Sequence, residues 1–405
     1  MQDVNFLVRE PLLDPKQRIL GYELSWRRPD GSAVAPGDED AAALAQRAAE
    51  ALNDAEGHWL LGENILFLQA TPGLLAEPAL RALLPQKTVL CVNSQDLDNP
   101  DFAAAIKELR GAGYGVALTD AESLVRDKNL LLQVSRVEIR FGEADFASQA
   151  RIYAALKQTS MRVIGRGVSN WKEFDSCASL GVDTFVGNLY ATARPGVQAT
   201  GLNPVQSMIL QLMDMVRKNT DVRQLEAVLK RDAALSYKLL TYINSAGFGL
   251  GTEIQSLRHA VTMLGYSPLY RWLSVLLATA GTAAQSPVLM QTAVVRGRFV
   301  ELLGKSMLPK NEAENLFVVG MFSLLDRLLN MSMEQALENI PLSEQVNEAL
   351  LKRQGIYGPF LSLAEACEKG NDAAIGNLAD SLFVSPAQVN AAHLEALTWA
   401  QSLKL

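Results

Sequence analysis

Side chains suited to hydrolytic or metal chemistry are few and scattered in this chain. Its 405 residues include three histidines, His58, His259 and His393, and three cysteines, Cys91, Cys177 and Cys367. Neither set has ligand spacing, so neither a zinc site nor a disulfide framework can be read from them. Phosphate-cradling loops are missing too: there is no GxxxxGK[ST] and no GxGxxG after a strand, and Gly111-Ala112-Gly113 reads as a helix exit. No GxSxG nucleophile elbow occurs. The charged residues that draw notice are Glu23 with Arg27, four positions apart, and Asp120 after the run Val116–Leu118. By type and spacing alone Glu23 and Arg27 read as a local polar pair or a contact with a neighbouring loop, and Asp120 as a helix cap. His259, beside Arg258, reads as a helix-surface or partly buried residue.

The elements that would position such residues differ between the two halves. Strand candidates in the first half are Asn5–Arg9, Ile19–Leu24, Ile65–Gln69, Val89–Asn93, Val116–Thr119, Arg136–Ile139, Arg162–Gly165 and Thr184–Gly187. Helix patterns over Glu39–Leu52, Phe102–Ala112, Ser148–Gln158 and Asn170–Leu180 lie between them. Strand–helix alternation predicts parallel strands with right-handed crossovers, and about eight strands in ~200 residues predict a closed barrel. The second half reads as helices throughout, including Val205–Lys218, Leu257–Leu264, Val288–Met307, Ala313–Asn330 and Pro386–Ala400. Asp221, Ser332, Ser343 and Ser385 stand at helix starts, and Gly247 and Gly265 at helix ends. The Pro/Gly-rich stretch Ala193–Pro204 is the expected connector. Residues 1–200 carry 20 Lys+Arg and 26 Asp+Glu, so they hold −6 of the total charge of −7. That balance weighs against nucleic acid as a partner. The start MQDVNFLVREPLLD lacks the apolar core of a secretory leader, and the apolar run Trp272–Ala284 is short of the ~20 residues of a membrane span. A cytoplasmic chain with no membrane association is the expectation.

The first half also resembles a known family. Arg9-Glu10-Pro11-Leu12 and Gly21-Tyr22-Glu23-Leu24-Ser25-Trp26-Arg27 look like the opening of an EAL domain. Further landmarks follow in order at Phe67–Ala70, Val89–Ser94, Gly113–Asp120, Ile164–Ser169 and Phe185–Tyr190. The resemblance implies a TIM-like barrel of the kind that hydrolyses cyclic di-GMP with a metal cage at the strand ends. Hydrolysis of that kind needs divalent cations on hard oxygen donors to make a hydroxide nucleophile. Carried over position by position, Glu23 matches a metal-ligand Glu, Arg27 a phosphate-contacting Arg and Asp120 the second of two ligand Asp residues. The other positions depart from the family's pattern. Gln69 stands for a ligand Asn, Cys91 for a ligand Glu and Thr119 for the first Asp. Glu138 stands for a Lys, Arg166 and Ser169 for two acidic residues, Val186 for a Gln, and Glu10 for a Gln that contacts the nucleotide.

The second half resembles the HDOD domain over LEAVLKRDAALSYKLLTYINSAGFGLG (225–251), IQSLRHAVTMLG (254–265) and NLFVVGMFSLLDRLL (315–329). HDOD domains are helical relatives of the HD phosphohydrolases and typically lack their metal site. Here Gly320-Met321-Phe322 leads into Ser323-Leu324 where an HD enzyme carries His-Asp. The expectation is therefore α/β plus all-α, with a degenerate EAL barrel over 1–197 and an HD-related helical bundle of HDOD type over 198–405. Neither domain is expected to catalyse, to hold a metal or to carry a cofactor. The expected function is signalling through protein contact, with another protein or a second copy as partner. Cyclic di-GMP binding without turnover at a pocket of Glu23, Arg27, Gln69 and Asp120, and weak residual hydrolysis, are the alternatives.

Overall fold

A computed structural model describes all residues except 1–3, 35–36, 55, 142–145, 196–201, 245–253, 281–285, 339, 341, 370–373 and 404–405. Gly247, the middle of the expected connector and the end of the run Trp272–Ala284 lie outside the described residues. The residues group into two units, Met1–Pro195 with Ala366–Gly376, and Gly196–Glu365 with Asn377–Leu405. The segment Ala366–Gly376 thus groups with the barrel rather than with the helices, unlike the single division after residue 197 expected from sequence.

In chain order the strands are β1 Phe6–Leu13, β2 Ile19–Arg27, β3 Ile65–Gln69, β4 Thr88–Val92, β5 Gly115–Leu118, β6 Arg136–Arg140, β7 Arg162–Arg166 and β8 Thr184–Val186. They close into one barrel in that order. All neighbouring pairs from β2 to β8 are parallel, but β1 is antiparallel to both β2 and β8. The expectation of parallel strands throughout is corrected here. Only residues 14–18 join β1 to β2, far fewer than a crossover needs. Asp14 shapes that turn by accepting the N–H groups of Lys16 and Arg18 at 2.8 and 2.9 Å.

Helices between strands are α1 Asp38–Leu52, α2 Pro72–Ala76, α3 Pro78–Ala82, α4 Pro100–Gly111, α5 Ala121–Arg126, α6 Phe146–Leu156 and α7 Trp171–Leu180. Asn170 caps α7 through the N–H of Glu173, and Gly181 ends it at φ +106°, where a side chain would be strained. Barrel strands alternate between two buried environments. Leu12, Phe67, Val89, Cys91, Ala117, Ile164 and Val186 point inward and pack together as an apolar plug.

The second unit is helical: α8 Pro204–Arg217, α9 Val222–Leu229, α10 Ala233–Ile243, α11 Leu257–Leu264, α12 Tyr266–Thr279, α13 Pro287–Gly304, α14 Lys310–Phe322, α15 Leu325–Leu329, α16 Met333–Glu338 and α17 Glu344–Lys352. Then come α18 Gly358–Lys369 and α19 Ile375–Ser381, which cross the unit divisions, and α20 Pro386–Ser402. Asn203 with Gln206 and Ser385 with Gln388 form reciprocal capping boxes that fix the starts of α8 and α20. The single helix expected over Ala313–Asn330 is two. The Ser323 hydroxyl bonds back to the Gly320 carbonyl at 2.6 Å, Leu324 leaves helical geometry, and α15 restarts at Leu325. Among the described residues no helix is long and apolar enough to cross a membrane.

Candidate functional site

The inward face of the barrel carries a ring of charge just beyond its apolar plug. Glu10 of β1 lies directly opposite Glu23 of β2 in the antiparallel register. Two carboxylates so placed repel each other unless a cation sits between them. Arg166, the last residue of β7, supplies it. Its Nη2 donates to Glu23, its Nη1 reaches Glu10 at 3.4 Å, and its Nε donates to Glu138 of β6 at 2.8 Å. All three guanidinium nitrogens are therefore engaged, each on a different strand. Arg140 completes the set by donating to the second oxygen of Glu138 at 3.0 Å.

Glu138 is 7% exposed, while Arg166, Glu10 and Glu23 are each 22% exposed, so the ring is largely withdrawn from water. Burial opposes the charge on Arg166, but Glu23, Glu138 and Glu10 outweigh it and raise its pKa beyond the usual guanidinium value. The space left beneath, against Cys91, Thr119 and Val186, is about 10 Å³, the room of one water. Burial pushes the Cys91 thiol well above its ordinary range, and Glu23 and Glu138 add to this. A thiol so placed resists losing its proton.

The four residues expected to form the pocket are only partly brought together. Glu23 lies in the ring. Arg27 donates to the Ser25 hydroxyl at 3.1 Å and to the Trp26 carbonyl at 3.0 Å, so the local pairing of Glu23 with Arg27 gives way to other partners. Gln69 ends β3 half-buried, in register with Cys91. Asp120 stands at the N-cap of α5 but does not cap it. Its carboxylate accepts the Ser94 N–H at 3.1 Å and the Ser94 hydroxyl at 2.5 Å, which ties β5's exit to β4's. Arg166, Glu138 and Glu10 are the site residues that spacing alone did not bring forward. The signal was available, since each sits on a strand at the same inward parity as Glu23.

The donor set does not fit a pair of hard divalent cations. The point on which the carboxylates converge is filled by a guanidinium, and the remaining lining offers a thiol, a hydroxyl and alkyl groups. Among the described residues no three His, Cys, Asp or Glu side chains are grouped so as to hold a metal ion. His58 is exposed beside Asp54, His259 is half-buried on α11, and His393 is buried against Phe299 with ring centroids 5.1 Å apart.

A second buried guanidinium lies in the helical unit. Arg296 of α13, 5% exposed, donates to the Ser323 hydroxyl at 2.7 Å and pairs with Glu365 at 3.4 Å. Glu365 is shared with Arg353 at 2.9 Å. The cation-bound Ser323 hydroxyl holds α14 to α13. All three cysteines are buried. Native chain at pH 8 is expected to leave all three unlabelled by iodoacetamide over a time in which the unfolded chain reacts fully. Early labelling at Cys91, read by peptide mass, would show that the barrel mouth is open.

The chain is similar to the HDOD domain over part of its helical half and, along nearly its whole length, to a protein named as a cyclic di-GMP phosphodiesterase. Residues 202–353 match the HDOD domain. Over 416 residues, 98% of this chain and 93% of the other, the sequence is 27% identical to a protein of Vibrio cholerae named cyclic di-GMP phosphodiesterase CdgJ. It is 24% identical over 410 residues, 98% of both chains, to the Bacillus subtilis protein named uncharacterized protein YuxH. Among solved structures, a Klebsiella pneumoniae BlrP1 complex with manganese and cyclic di-GMP aligns with a TM-score of 0.37 and 20% identity. That alignment takes in 46% of this chain and 55% of the other.

Proposed function

We propose that this chain is a non-hydrolysing member of its group, a cytoplasmic signalling adaptor that acts through protein contact. The observation that carries the reading is the seat of Arg166. Its guanidinium pairs with the three carboxylates that converge at the end of the barrel. Without divalent cations a phosphodiester-cleaving site lacks both its hydroxide source and its charge neutralisation. The fixed partners of Asp120 support the same reading, because its carboxylate is committed to Ser94.

The name of the Vibrio relative favours a second reading, residual hydrolysis of cyclic di-GMP. One assay separates the two. Purified full-length chain is incubated with cyclic di-GMP and either Mg²⁺ or Mn²⁺, and linear dinucleotide is sought by chromatography. No product above the buffer blank is expected. Product that disappears in Glu23→Ala would overturn the proposal. Calorimetry on the same protein tests binding without turnover: saturable heat lost in Arg27→Ala would make the barrel a receptor rather than an adaptor surface.

A further inference from the structure

A cavity in the helical unit is independent of the barrel. It holds about 500 Å³, within the range typical of small-molecule sites. The C-terminal end of α8, the start of α12, the middle of α14 and the start of α17 enclose it. Val216, Leu264, Trp272, Val318 and Val346 give it an apolar wall. Polar side chains break that wall, among them Arg217, Tyr270, Arg271, Glu314 and Asn315.

The charge balance of those groups decides what would be welcome there. Glu314 accepts the Ser267 hydroxyl, and its charge is felt by the neighbouring Arg271 guanidinium. Arg271, which also reaches the cavity, gives its guanidinium to Glu301 in two bonds of 2.7 and 2.8 Å. Lys218, next to Arg217, is held by Asp214 at 2.6 Å. Arg217 itself, among the described residues, has no carboxylate partner. Asn315 donates its amide N–H to the Tyr357 hydroxyl at 3.0 Å. The Tyr270 hydroxyl, close enough to Arg217 to feel its charge, is pushed up to about 12 by burial despite that cation. It therefore stays a neutral hydrogen-bond donor. One available cation and one available donor at the edge of an apolar chamber suit a single anionic head on an apolar body.

We infer that this cavity binds a small amphipathic organic anion, with its carboxylate or phosphate held by Arg217 and Tyr270 and its apolar part against Trp272 and Val318. The volume favours a small molecule over a helix or strand of a partner. Its occupancy would bridge α8, α12, α14 and α17, and so couple ligand to the packing of the helical unit.

The probe is 8-anilinonaphthalene-1-sulfonate, an aromatic body with one anionic group, titrated by fluorescence against the folded full-length chain. One saturable site per chain is expected. Decanoate and decyl phosphate are then added as competitors, with decylamine as the opposite-charge control. Competition by decanoate alone points to a carboxylate ligand, and by decyl phosphate alone to a phosphate. Arg217→Ala is expected to weaken the probe about tenfold, the loss of one charge-assisted hydrogen bond. Arg217 is exposed at a helix end, so this variant keeps the fold, and its circular dichroism is recorded alongside. Tyr270→Phe is expected to weaken it about threefold, and Leu342→Trp, on the half-exposed rim, to block it. Non-saturable fluorescence, affinity unchanged in Arg217→Ala, or displacement by decylamine as strong as by the two anions would overturn the inference.

Discussion

Arg166→Ala is expected to destabilise the barrel by about 3 kcal/mol, the lower end of the range for removing one partner of a buried ion pair. The lower end applies because Arg166, Glu10 and Glu23 keep about a fifth of their surface, so water can partly repair the loss. Three carboxylates on neighbouring inward positions would then face one another with only Arg140 nearby. Thermal unfolding followed by circular dichroism reads the effect as a lowered first transition. Arg166→Lys is expected to fall between, because an ammonium keeps the charge but cannot fork to three strands at once. Millimolar Mn²⁺ is expected to raise the transition of Arg166→Ala and to leave the parent unchanged, since a cation that binds only the folded state stabilises it by mass action. If the alanine variant melts with the parent, or Mn²⁺ acts equally on both, the guanidinium is not what holds the ring.

That ring shows where sequence reading succeeds and where it stops. Each of the eight strands was legible because short apolar runs of period two have little else to become when helices flank them. Strand direction was less legible. The repeating order suggested parallel pairing throughout, and only the shortness of residues 14–18 reveals that β1 must run the other way. The caps of α9, α17 and α20 were legible from Asp221, Ser343 and Ser385 at their starts. Asp120 misled, because its position marks an N-cap while its carboxylate serves a neighbouring strand exit. A cap is a local signal, but the Ser94 contact spans 26 residues and belongs to the barrel's closure. The Glu10–Glu23–Glu138–Arg166 ring is still less local. Arg166 lies 156 residues from Glu10, and nothing in either neighbourhood encodes their meeting. Only the barrel's register, which puts every second residue inside, makes them neighbours.

The same distinction between local signal and packing explains Gly320, and it sets the second large effect. A Cβ at Gly320 would lie 2.5 Å from the Gly297 Cα, 2.7 Å from the Arg296 carbonyl oxygen and 2.7 Å from the Gly297 nitrogen. A Cβ at Gly297 would in turn meet the Phe317 carbonyl oxygen at 2.9 Å. Helices α13 and α14 therefore cross backbone to backbone, and no rotamer change can make room. Gly320→Ala gains about 1 kcal/mol of helix propensity. Against that, the helices must separate by roughly an ångström, which loosens the fully buried Phe317, Met321 and Phe322. It also draws Arg296 away from Ser323. Overpacking of this kind costs about 3 kcal/mol or more when backbone is the obstacle, so the clash outweighs the propensity gain. The net loss of about 2 kcal/mol is expected to lower the melting temperature of the helical unit by roughly 4–8 °C. Gly304→Ala is the control: its Cβ would meet the Leu316 Cδ1 methyl, the mobile end of a side chain, and the expected loss is less than half as large. Equal losses in the two variants, or a gain in Gly320→Ala, would mean that α13 and α14 are not in backbone contact. Gly320, three residues ahead of Ser323, is thus required by the crossing itself, whichever side chains follow it.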